Sequence, residues 1–431
     1  MGSSRTRDNV TVDPIARFKK AFADDDAAAL RQLFIDHPEL KARINEPVFA
    51  FDSPAITYAA GCHKIGIIDA LLEAGADINA RSSWWAGGFG VLDHDNHDIV
   101  PHLIERGATV DAYAAAKHGM MNTLRELIDR NPKLVHARGG DGQTLLHVAF
   151  SVEIAKFLLD RGADINARDI DHESTAAQYL VRSNPEIVRF LIARGCATDI
   201  LLAAAVGDLD LVRRHLDTGP ESIRTRVNAK YFPMQNPRAA GSIYIWTLGQ
   251  NRSAHQLARS FQHEDVLQLL LERTPEDLRL AQACLTGDSA WVEARLTRDP
   301  EKVRTLAQAN PSYVSDAAED NDAMPVRLML ECGWPVEGDG RHTPLHWACW
   351  HGNAEMARQI LRFHPPLELQ DADYHATPLG WAMHGSEHGW NCKNGDYGAT
   401  VKALLAAGAR RPEKIEGSQA VQEVLRGNST G

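Results

Sequence analysis

Ala-Leu-Leu-Glu-Ala-Gly-Ala-Asp-Ile-Asn-Ala-Arg, at residues 70–81, returns almost unchanged at residues 156–168 as Lys-Phe-Leu-Leu-Asp-Arg-Gly-Ala-Asp-Ile-Asn-Ala-Arg. Weaker copies of this stretch begin at Leu103, Leu191 and Leu404. The glycines at 75 and 107 are 32 residues apart, and those at 162 and 195 are 33 apart. The chain is therefore built from repeats of about that length, and a repeat of this length is typical of stacked helical arrays.

Each repeat reads as a short apolar helix, a polar turn and a second amphipathic helix with leucines on one face. The glycine that follows ends the second helix, because the position after a helix favours a left-handed backbone that glycine adopts without strain. One such helix pair cannot bury its own apolar face, so neighbouring pairs must stack. The sequence predicts an all-α solenoid of about ten to eleven helix-turn-helix units.

These residues resemble the ankyrin repeat. Its diagnostic tetrapeptide stands at 343–346 as Thr-Pro-Leu-His, is nearly kept at 144–147 as Thr-Leu-Leu-His, and returns at 377–380 as Thr-Pro-Leu-Gly. The resemblance covers roughly residues 50 to 410, and it implies that His147 and His346 hold their turns by hydrogen bonds. Gly380 replaces this histidine, so the last turn must be held in another way or its cavity must serve another purpose.

The repeats divide the chain into five predicted segments. Residues 1–46 form an N-terminal extension and helical cap, and residues 47–228 form the N-terminal repeats. An aromatic insertion at 229–250 precedes the C-terminal repeats at 251–410. A polar tail follows at 411–431. These bounds are good to about four residues.

Composition excludes several classes of function. The 431 residues include 46 Lys and Arg against 57 Asp and Glu, and a net charge of −11 disfavours a nucleic-acid partner. No apolar run approaches the roughly 20 residues of a membrane span, and residues 1–7 do not open a secretory signal. Six scattered cysteines without a C-x-x-C pair suit free thiols in the cytoplasm. We expect a monomer or a weak oligomer with no membrane partner.

Two stretches break the repeat pattern in the N-terminal half. Trp84 and Trp85 run into the glycine cluster 87–90, where a repeat would carry its opening turn. Tight packing between repeats explains this cluster better than a phosphate cradle, since no strand precedes it and no G-K-[ST] follows. The insertion 229–250 carries Trp246 among other aromatic residues, and we expect it to fold back over the repeats, where it either lines a groove or covers core.

A third departure lies in the last two units. Residues 334–390 hold five of the nine tryptophans and seven of the nineteen histidines, and residues 385–398 lengthen a turn by about ten residues. Trp350, His351 and Trp390 are candidate ligand contacts, and Trp347 and Trp381 are predicted enlarged core residues. His384, His388 and Cys392 are spaced by four, as zinc ligands on one helix would be. Gly385 and Gly389 argue against an unbroken helix there, so we predict a polar or ligand-gripping loop and no metal site.

A further polar cluster stands at 169–175, between two units. Asp171 and His172 are candidate binding residues, because carboxylates beside an imidazole can act as acid and base where a cleft desolvates them. Residues at the tip of a turn are usually hydrated, however, so a solvated turn that caps the next helix is the leading interpretation.

Two functions remain open at this point. The ankyrin resemblance implies a binding protein whose concave face holds a protein partner, with tryptophans as anchors. The alternative is an enzyme or small-molecule binder whose Trp/His-lined pocket is closed by the 229–250 insertion and the 385–398 loop. In that case His384 or His388 would act as a general acid or base, and the Glu387 carboxylate would orient the imidazole ring. The stretches 84–90 and 377–386 also resemble those of bacterial ankyrin proteins with no known activity. No cofactor motif is present.

Overall fold

Helices dominate the computed structural model, which describes residues 13–427. The predicted absence of a secretory signal concerns residues 1–7, which lie outside this range. Contacts between Cα atoms divide the chain into two compact units. Asn228–Thr247, which is most of the predicted insertion, belongs to the first unit, and Asp199–Val227 belongs to the second. Each unit is therefore built from two separate stretches of the sequence.

Unit 1 contains the described residues up to Thr198 together with Asn228–Thr247. Its α-helices are Pro14–Ala23, Ala27–Asp36, Ala55–Gly61, Ile65–Glu73, Val100–Glu105, Ala112–Lys117, Met121–Arg130, Val152–Asp160, Ala176–Leu180, Pro185–Ala193 and Tyr244–Thr247. Short 3-10 helices are Pro38–Arg43, Ala50–Asp52, Pro132–His136 and Gly140–Gly142. A small antiparallel hairpin of Pro47–Phe49 and Ser53–Pro54 precedes the first repeat.

Unit 2 contains Asp199–Val227 and the described residues from Leu248 onward. Its α-helices are Ile200–Val206, Leu209–Thr218, Ala254–Ser260, Glu264–Arg273, Glu276–Thr286, Ser289–Arg298, Pro300–Ala309, Tyr313–Glu319, Ala323–Cys332, Pro344–Trp350, Ala354–Leu361, Pro378–His388, Tyr397–Ala406 and Gln419–Arg426, with a 3-10 helix at Pro220–Arg224. Successive first helices pack side by side, as Tyr313–Glu319, Pro344–Trp350 and Pro378–His388 do, and the second helices form a parallel row. Within residues 13–427, no helix has the length and apolar character needed to cross a bilayer.

The glycines predicted to end the second helices adopt the expected backbone. Gly75, Gly107, Gly162, Gly195 and Gly408 all have φ between 86° and 105°. At four of them a Cβ atom would meet nothing within 4 Å, so the backbone conformation alone requires glycine there. The predicted all-α repeat fold is confirmed.

The two histidines of the tetrapeptide are structural, as the resemblance implied. His147 Nδ1 accepts from the Thr144 backbone N–H at 3.1 Å, and its Nε2 donates to the Ser174 carbonyl of the next repeat at 2.9 Å. His346 makes the same pair of contacts with Thr343 and Ala376. Burial lowers the pKa of His147 to about 4, so the neutral ring that both bonds require is the form present at neutral pH.

Local structure departs from the prediction in four segments. An opening helix was expected in every unit, and this prediction is wrong for residues 86–99. Gly87, Gly88 and Gly90 disfavour a helix there. The segment is held instead by buried Asn96, which donates to the Ala60 and Val91 carbonyls. The sequence also predicts loops lengthened by a few residues at 131–135 and 299–303, where two units end, but the structure has the 3-10 helix Pro132–His136 and the α-helix Pro300–Ala309 there. The predicted polar tail contains the helix Gln419–Arg426, which packs its apolar face on Tyr397–Ala406.

Unit 2 also holds a group of half-buried acidic side chains, Asp316, Glu319 and Asp320. Asp316 pairs with Arg226 at 2.7 Å, and Glu319 Oε2 accepts from Asn251 Nδ2 at 3.1 Å. Burial, together with repulsion from Asp316 and Asp320, raises the pKa of Glu319 to about 7. A carboxyl group with a raised pKa binds its proton more tightly in the folded chain than in the unfolded chain.

We therefore expect Glu319→Gln to stabilise the protein at pH 8. The folded chain holds the extra proton between about pH 4.5 and 7, so stability falls as the pH rises through this window, and the amide removes the loss. The gain over wild type should be about 1 to 3 kcal/mol at pH 8 and near zero at pH 4.5. Urea unfolding at both values measures it, with exposed Glu293→Gln as the control. A gain that does not depend on pH would contradict the assignment.

Candidate functional site

Three turns of unit 1, at residues 87, 141 and 170–171, are joined edge to edge at their tips. The backbone N–H of Asp141 donates to the Gly87 carbonyl at 3.3 Å. The Asp141 carbonyl in turn accepts from the N–H groups of Ile170 and Asp171 at 2.9 and 3.2 Å. These bonds bring together residues that lie more than 80 positions apart in the sequence.

The glycine cluster after the paired tryptophans makes this close approach possible. Gly87 has φ 153°, and a Cβ atom there would lie 2.5 Å from the Gly139 carbonyl oxygen and 2.7 Å from the Gly142 nitrogen. A Cβ atom at Gly88 would collide with the Ser82 carbonyl. The cluster therefore packs turn against turn, as the favoured interpretation of the sequence expected.

The segment 228–247 covers the third tip. The Ala240 N–H donates to the Asp171 carbonyl at 2.9 Å, and the Ile243 N–H donates to Ser174 Oγ at 3.1 Å. The Glu173 carboxylate accepts two further N–H groups of this segment, at 2.8 and 2.7 Å. The insertion folds back as expected, and it adds core as well as surface, because Tyr244 is fully buried while Trp246 is 55% exposed.

This cover overturns the leading interpretation of residues 169–175. A solvated turn was expected, but Asp169 and Asp171 are only 4% exposed and His172 only 8%. Asp169 does cap the turn, since it accepts from the N–H groups of His172 and Ser174 and from the Tyr179 hydroxyl. The prediction of hydration is wrong because a segment some 60 residues downstream excludes the water.

Five residues form what we name the tip site: Trp84, Asp141, Asp171, His172 and Trp246. One ligand atom from each of Asp141, Asp171 and His172 lies within 4.8 Å of the other two. The Trp246 ring packs edge-on against the His172 ring, with 4.7 Å between centroids. Burial raises the pKa of Asp141 to about 6, with an opposing effect from His172 and a further increase from Asp171 and Asp169. Burial also raises the pKa of Asp171.

The predicted tryptophans 84 and 85 lie at the border of this site. Trp84 contacts the Phe51 ring edge-on at 5.2 Å and lies beside the Asp141 carboxyl. The Arg238 guanidinium, from the insertion, stands over the Trp85 ring at 4.5 Å. Two of the irregular stretches in the sequence therefore meet in unit 1.

Unit 2 carries a second candidate site, an aromatic groove of about 480 Å³. We define the aromatic groove by Trp347, Trp350, Trp381, Trp390, Tyr374 and His384. Trp381 lies at its centre, with ring centroids 5.2 Å from Trp347 and 5.8 Å from Trp350. Trp390 stacks on Trp347 at 5.8 Å and remains 69% exposed. Gly380 stands where the tetrapeptides at 144–147 and 343–346 have histidine, and it lines the groove without a side chain to fill it.

A buried carboxylate holds the central tryptophan. Asp371 accepts from three backbone N–H groups, of Asp373, Tyr374 and Ala376, and from Trp381 Nε1 at 2.9 Å. Burial alone would raise the pKa of Asp371, but these four donors outweigh it and lower the pKa to about 2. The groove therefore has a permanent negative charge behind the Trp381 indole.

The lengthened turn positions Trp390. Asn391 Nδ2 donates to the His351 carbonyl at 3.0 Å, and the Tyr397 hydroxyl donates to the Trp350 carbonyl at 2.7 Å. His351 is itself buried, and its Nε2 donates to the Glu319 carbonyl at 2.9 Å. Its ring lies 5.7 Å from that of Trp390, so this predicted contact residue supports the groove from behind.

The predicted acid and base residues lie on the helix Pro378–His388, and of the three only His384 lines the aromatic groove. The helix Pro378–His388 runs unbroken through Gly385, where we expected an interruption, because the Trp350 backbone packs directly on that glycine. His384, Glu387 and His388 are all exposed, and the two imidazole centroids are 4.6 Å apart. Cys392 follows the end of the helix, so the three spaced residues do not share one helical face.

Asp141 and Tyr374 belong to these sites, Asp169 and Asp371 support them by hydrogen bonds, and none of the four was among the predicted contact residues. A register signal was available for two of them. Asp169 and Asp371 both stand six residues before the threonine of a tetrapeptide position, and Tyr179 and Trp381, which donate to them, both stand four residues after it. Nothing in the sequence places Asp141 beside Asp171.

Comparison with known proteins agrees with the repeat pattern. The family model "Ankyrin repeats (3 copies)" matches residues 90–169 and 112–201, and the model "Ankyrin repeat" matches residues 341–372. The chain is 31% identical over 132 residues to the rat (Rattus norvegicus) protein "Ankyrin repeat and SAM domain-containing protein 6", which covers 29% of this chain and 15% of that protein. It is 24% identical over 270 residues to the human (Homo sapiens) protein "Ankyrin repeat and SOCS box protein 16", covering 61% of this chain and 51% of that one. The solved human ASB11 ankyrin repeat domain aligns with 70% of this chain and all of its own, at 16% identity and a TM-score of 0.28.

The glycine-ended helix pairs, the Thr-His turns and the family matches together define an ankyrin-repeat protein. Residues 90–201 and 341–372 of this chain therefore carry ankyrin repeats, and repeats of this kind commonly mediate interactions between proteins. The chain spans about 15% of the rat relative and about half of the human one.

Proposed function

We propose that this protein binds a partner polypeptide through the aromatic groove, and that a cationic side chain of the partner lies on the indole rings. The observation that supports this proposal best is the set of four tryptophans around one cavity with the ionised Asp371 behind it. Concave apolar cavities of several hundred Å³ are typical binding sites, and tryptophan is the residue most enriched among energetically dominant contacts.

The chemistry of the lining favours a cation. The face of an indole ring carries negative potential, and an Arg or Lys group within about 6 Å of its centre is attracted to it. Because Trp381 Nε1 donates to a carboxylate, the negative charge of Asp371 adds to this potential. A net charge of −11 for the whole chain also favours a basic partner.

A peptide titration tests the proposal. We expect a fluorescent arginine-rich decapeptide to bind the full-length chain, and a glutamate-rich peptide of equal length not to bind. Exposed Trp390→Ala should weaken binding about tenfold or more without unfolding the chain. Trp246→Ala, an exposed tryptophan of unit 1, is the matched control and should bind like wild type. Equal affinity of Trp390→Ala and wild type would refute the assignment.

The alternative function is binding or turnover of a small molecule in the same groove. The volume of about 480 Å³ suits such a ligand, and stacked indoles also hold the apolar faces of sugars. Titration with a methyl glycoside and with a quaternary ammonium compound distinguishes this alternative from the first. Stabilisation by either one, with no effect of the arginine-rich peptide, would favour it. His384, Glu387 and His388 would then be the first acid and base candidates to replace.

The cellular setting stays a prediction. All six cysteines are free thiols, and we propose that the protein works in the cytoplasm, where thiols remain reduced. A monomer or weak oligomer and a bacterial type of stand-alone array also stay predictions.

A further inference from the structure

We propose that the tip site of unit 1 binds a divalent metal ion through Asp141, Asp171 and His172. One atom from each lies within 4.8 Å of the other two, so small side-chain rotations would bring all three within bonding distance of a single ion. Among residues 13–427, this is the one group of three carboxylate, imidazole or thiol side chains that meets this distance. The site lies in a different unit from the aromatic groove, so it does not depend on the proposed function.

The histidine has its lone pair available for a metal. His172 Nδ1 donates its proton to the Gly241 carbonyl at 2.8 Å, and the neutral ring therefore presents an unprotonated Nε2. This nitrogen lies 3.7 Å from Asp171 Oδ2, too far for a hydrogen bond. A backbone carbonyl that fixes the second ring nitrogen in this way is the usual support of a metal-bound histidine.

Unpartnered buried oxygens point independently to a missing cation. Asp171 is only 4% exposed, and its Oδ1 has no hydrogen-bond partner. Asp141 Oδ1 is also buried and makes no hydrogen bond, although the Trp84 indole lies beside this carboxyl. Buried carboxylate oxygens are normally paired, because an ionised carboxylate away from water carries a large desolvation cost. A divalent ion between the two carboxylates would remove that cost.

The equivalent turn of unit 2 shows the usual solution. Asp373 stands at the position of Asp171, two residues after the capping aspartate, and Tyr374 stands at the position of His172. Asp373 is paired with the Arg341 guanidinium at 3.1 Å and lies 2.8 Å from His342 Nε2, so a protein cation already neutralises it. At the tip site no arginine of the described part of the chain pairs with Asp171 in this way. The His172 imidazole and the Asp141 carboxylate of the preceding turn lie near it instead.

The donor set limits the choice of ion. Two carboxylates and one imidazole suit a borderline cation such as Zn²⁺ or Mn²⁺ better than Mg²⁺, which prefers oxygen ligands alone. Three protein ligands leave further positions for water or for a group of a ligand. The bound ion would also fasten the insertion to the tips, since Gly241 and Trp246 both contact His172.

Calorimetric titration of the EDTA-treated full-length chain tests this site. We expect Zn²⁺ or Mn²⁺, added as the chloride, to bind with one equivalent at the tip site and to raise Tm by several degrees, while Mg²⁺ binds at least tenfold more weakly. Asp171→Asn keeps the shape of the side chain and should abolish this equivalent. Asp373→Asn, at the same register position in unit 2, should leave it intact.

Two further measurements keep the proposal open to refutation. The exposed pair His384 and His388 could bind Zn²⁺ on its own, so His388→Gln is titrated in parallel and should retain the tip equivalent. Co²⁺ should quench the tryptophan fluorescence of wild type more strongly than that of Trp246→Phe, because Trp246 contacts the ligand His172. Absence of binding in wild type, or binding that is lost only in His388→Gln, would overturn the proposal. If Asp171→Asn fails to fold, the Co²⁺ result on wild type and Trp246→Phe decides.

Discussion

Gly87→Ala is expected to destabilise unit 1 by about 3 kcal/mol or more. An added Cβ atom would lie 2.5 Å from the Gly139 carbonyl oxygen and 2.7 Å from the Gly142 nitrogen. Both are backbone atoms, which cannot rotate away as a side chain does, so the joined turns would have to separate. Urea or thermal unfolding followed by tryptophan fluorescence measures the loss.

Gly75→Ala is the matched control for this prediction. Gly75 also has a positive φ, of 101°, but no atom lies within 4 Å of its added Cβ. The substitution therefore costs only the strain of a left-handed backbone, about 1 kcal/mol. Equal losses in the two variants would show that backbone conformation, and not contact between turns, explains the glycine at 87.

The second large effect is expected for Asp371→Asn, at about 2 to 3 kcal/mol near neutral pH. The carboxylate accepts from three backbone N–H groups and from the Trp381 indole. An amide offers one acceptor oxygen, and its NH₂ group faces donors, so buried N–H groups lose their partners. Because Trp381 then loses its anchor, binding of the arginine-rich peptide should weaken as well.

The pH dependence of this variant has a defined sign. The pKa of Asp371 is lowered to about 2 in the folded chain, whereas an aspartate without these hydrogen bonds has a pKa of 3.8. The stability that it contributes is complete above the unfolded pKa and is lost as the pH falls through 2. The difference in unfolding free energy between wild type and variant should therefore shrink from pH 5 to pH 2. Asp373→Asn, in a partly exposed ion pair, should cost less than about 1 kcal/mol. A similar loss in both variants would contradict the role of Asp371.

The candidate sites were only partly predictable from the sequence. Enrichment of tryptophan in residues 334–390 indicated the region of the aromatic groove, and its residues Trp350 and Trp390 were named as candidate ligand contacts. Asp171 and His172 were singled out, but their burial was not expected. Water is excluded from them by Ala240, Gly241 and Ile243, which the sequence alone does not bring close.

What the sequence determined by itself is the repeat fold. The phrase at 70–81, the tetrapeptide at 343–346 and the glycines after each second helix act within one unit or on the next, so spacing along the chain is enough to predict their contacts. Only the tertiary structure decided which polar groups lose their water and which side chains meet. Asp141 approaches Asp171 through turns that pack across repeats, and the insertion returns over 60 residues to cover them. Such contacts depend on the summed packing of several repeats and leave no periodic signal in the sequence, which is why hydration was predicted where the structure shows burial.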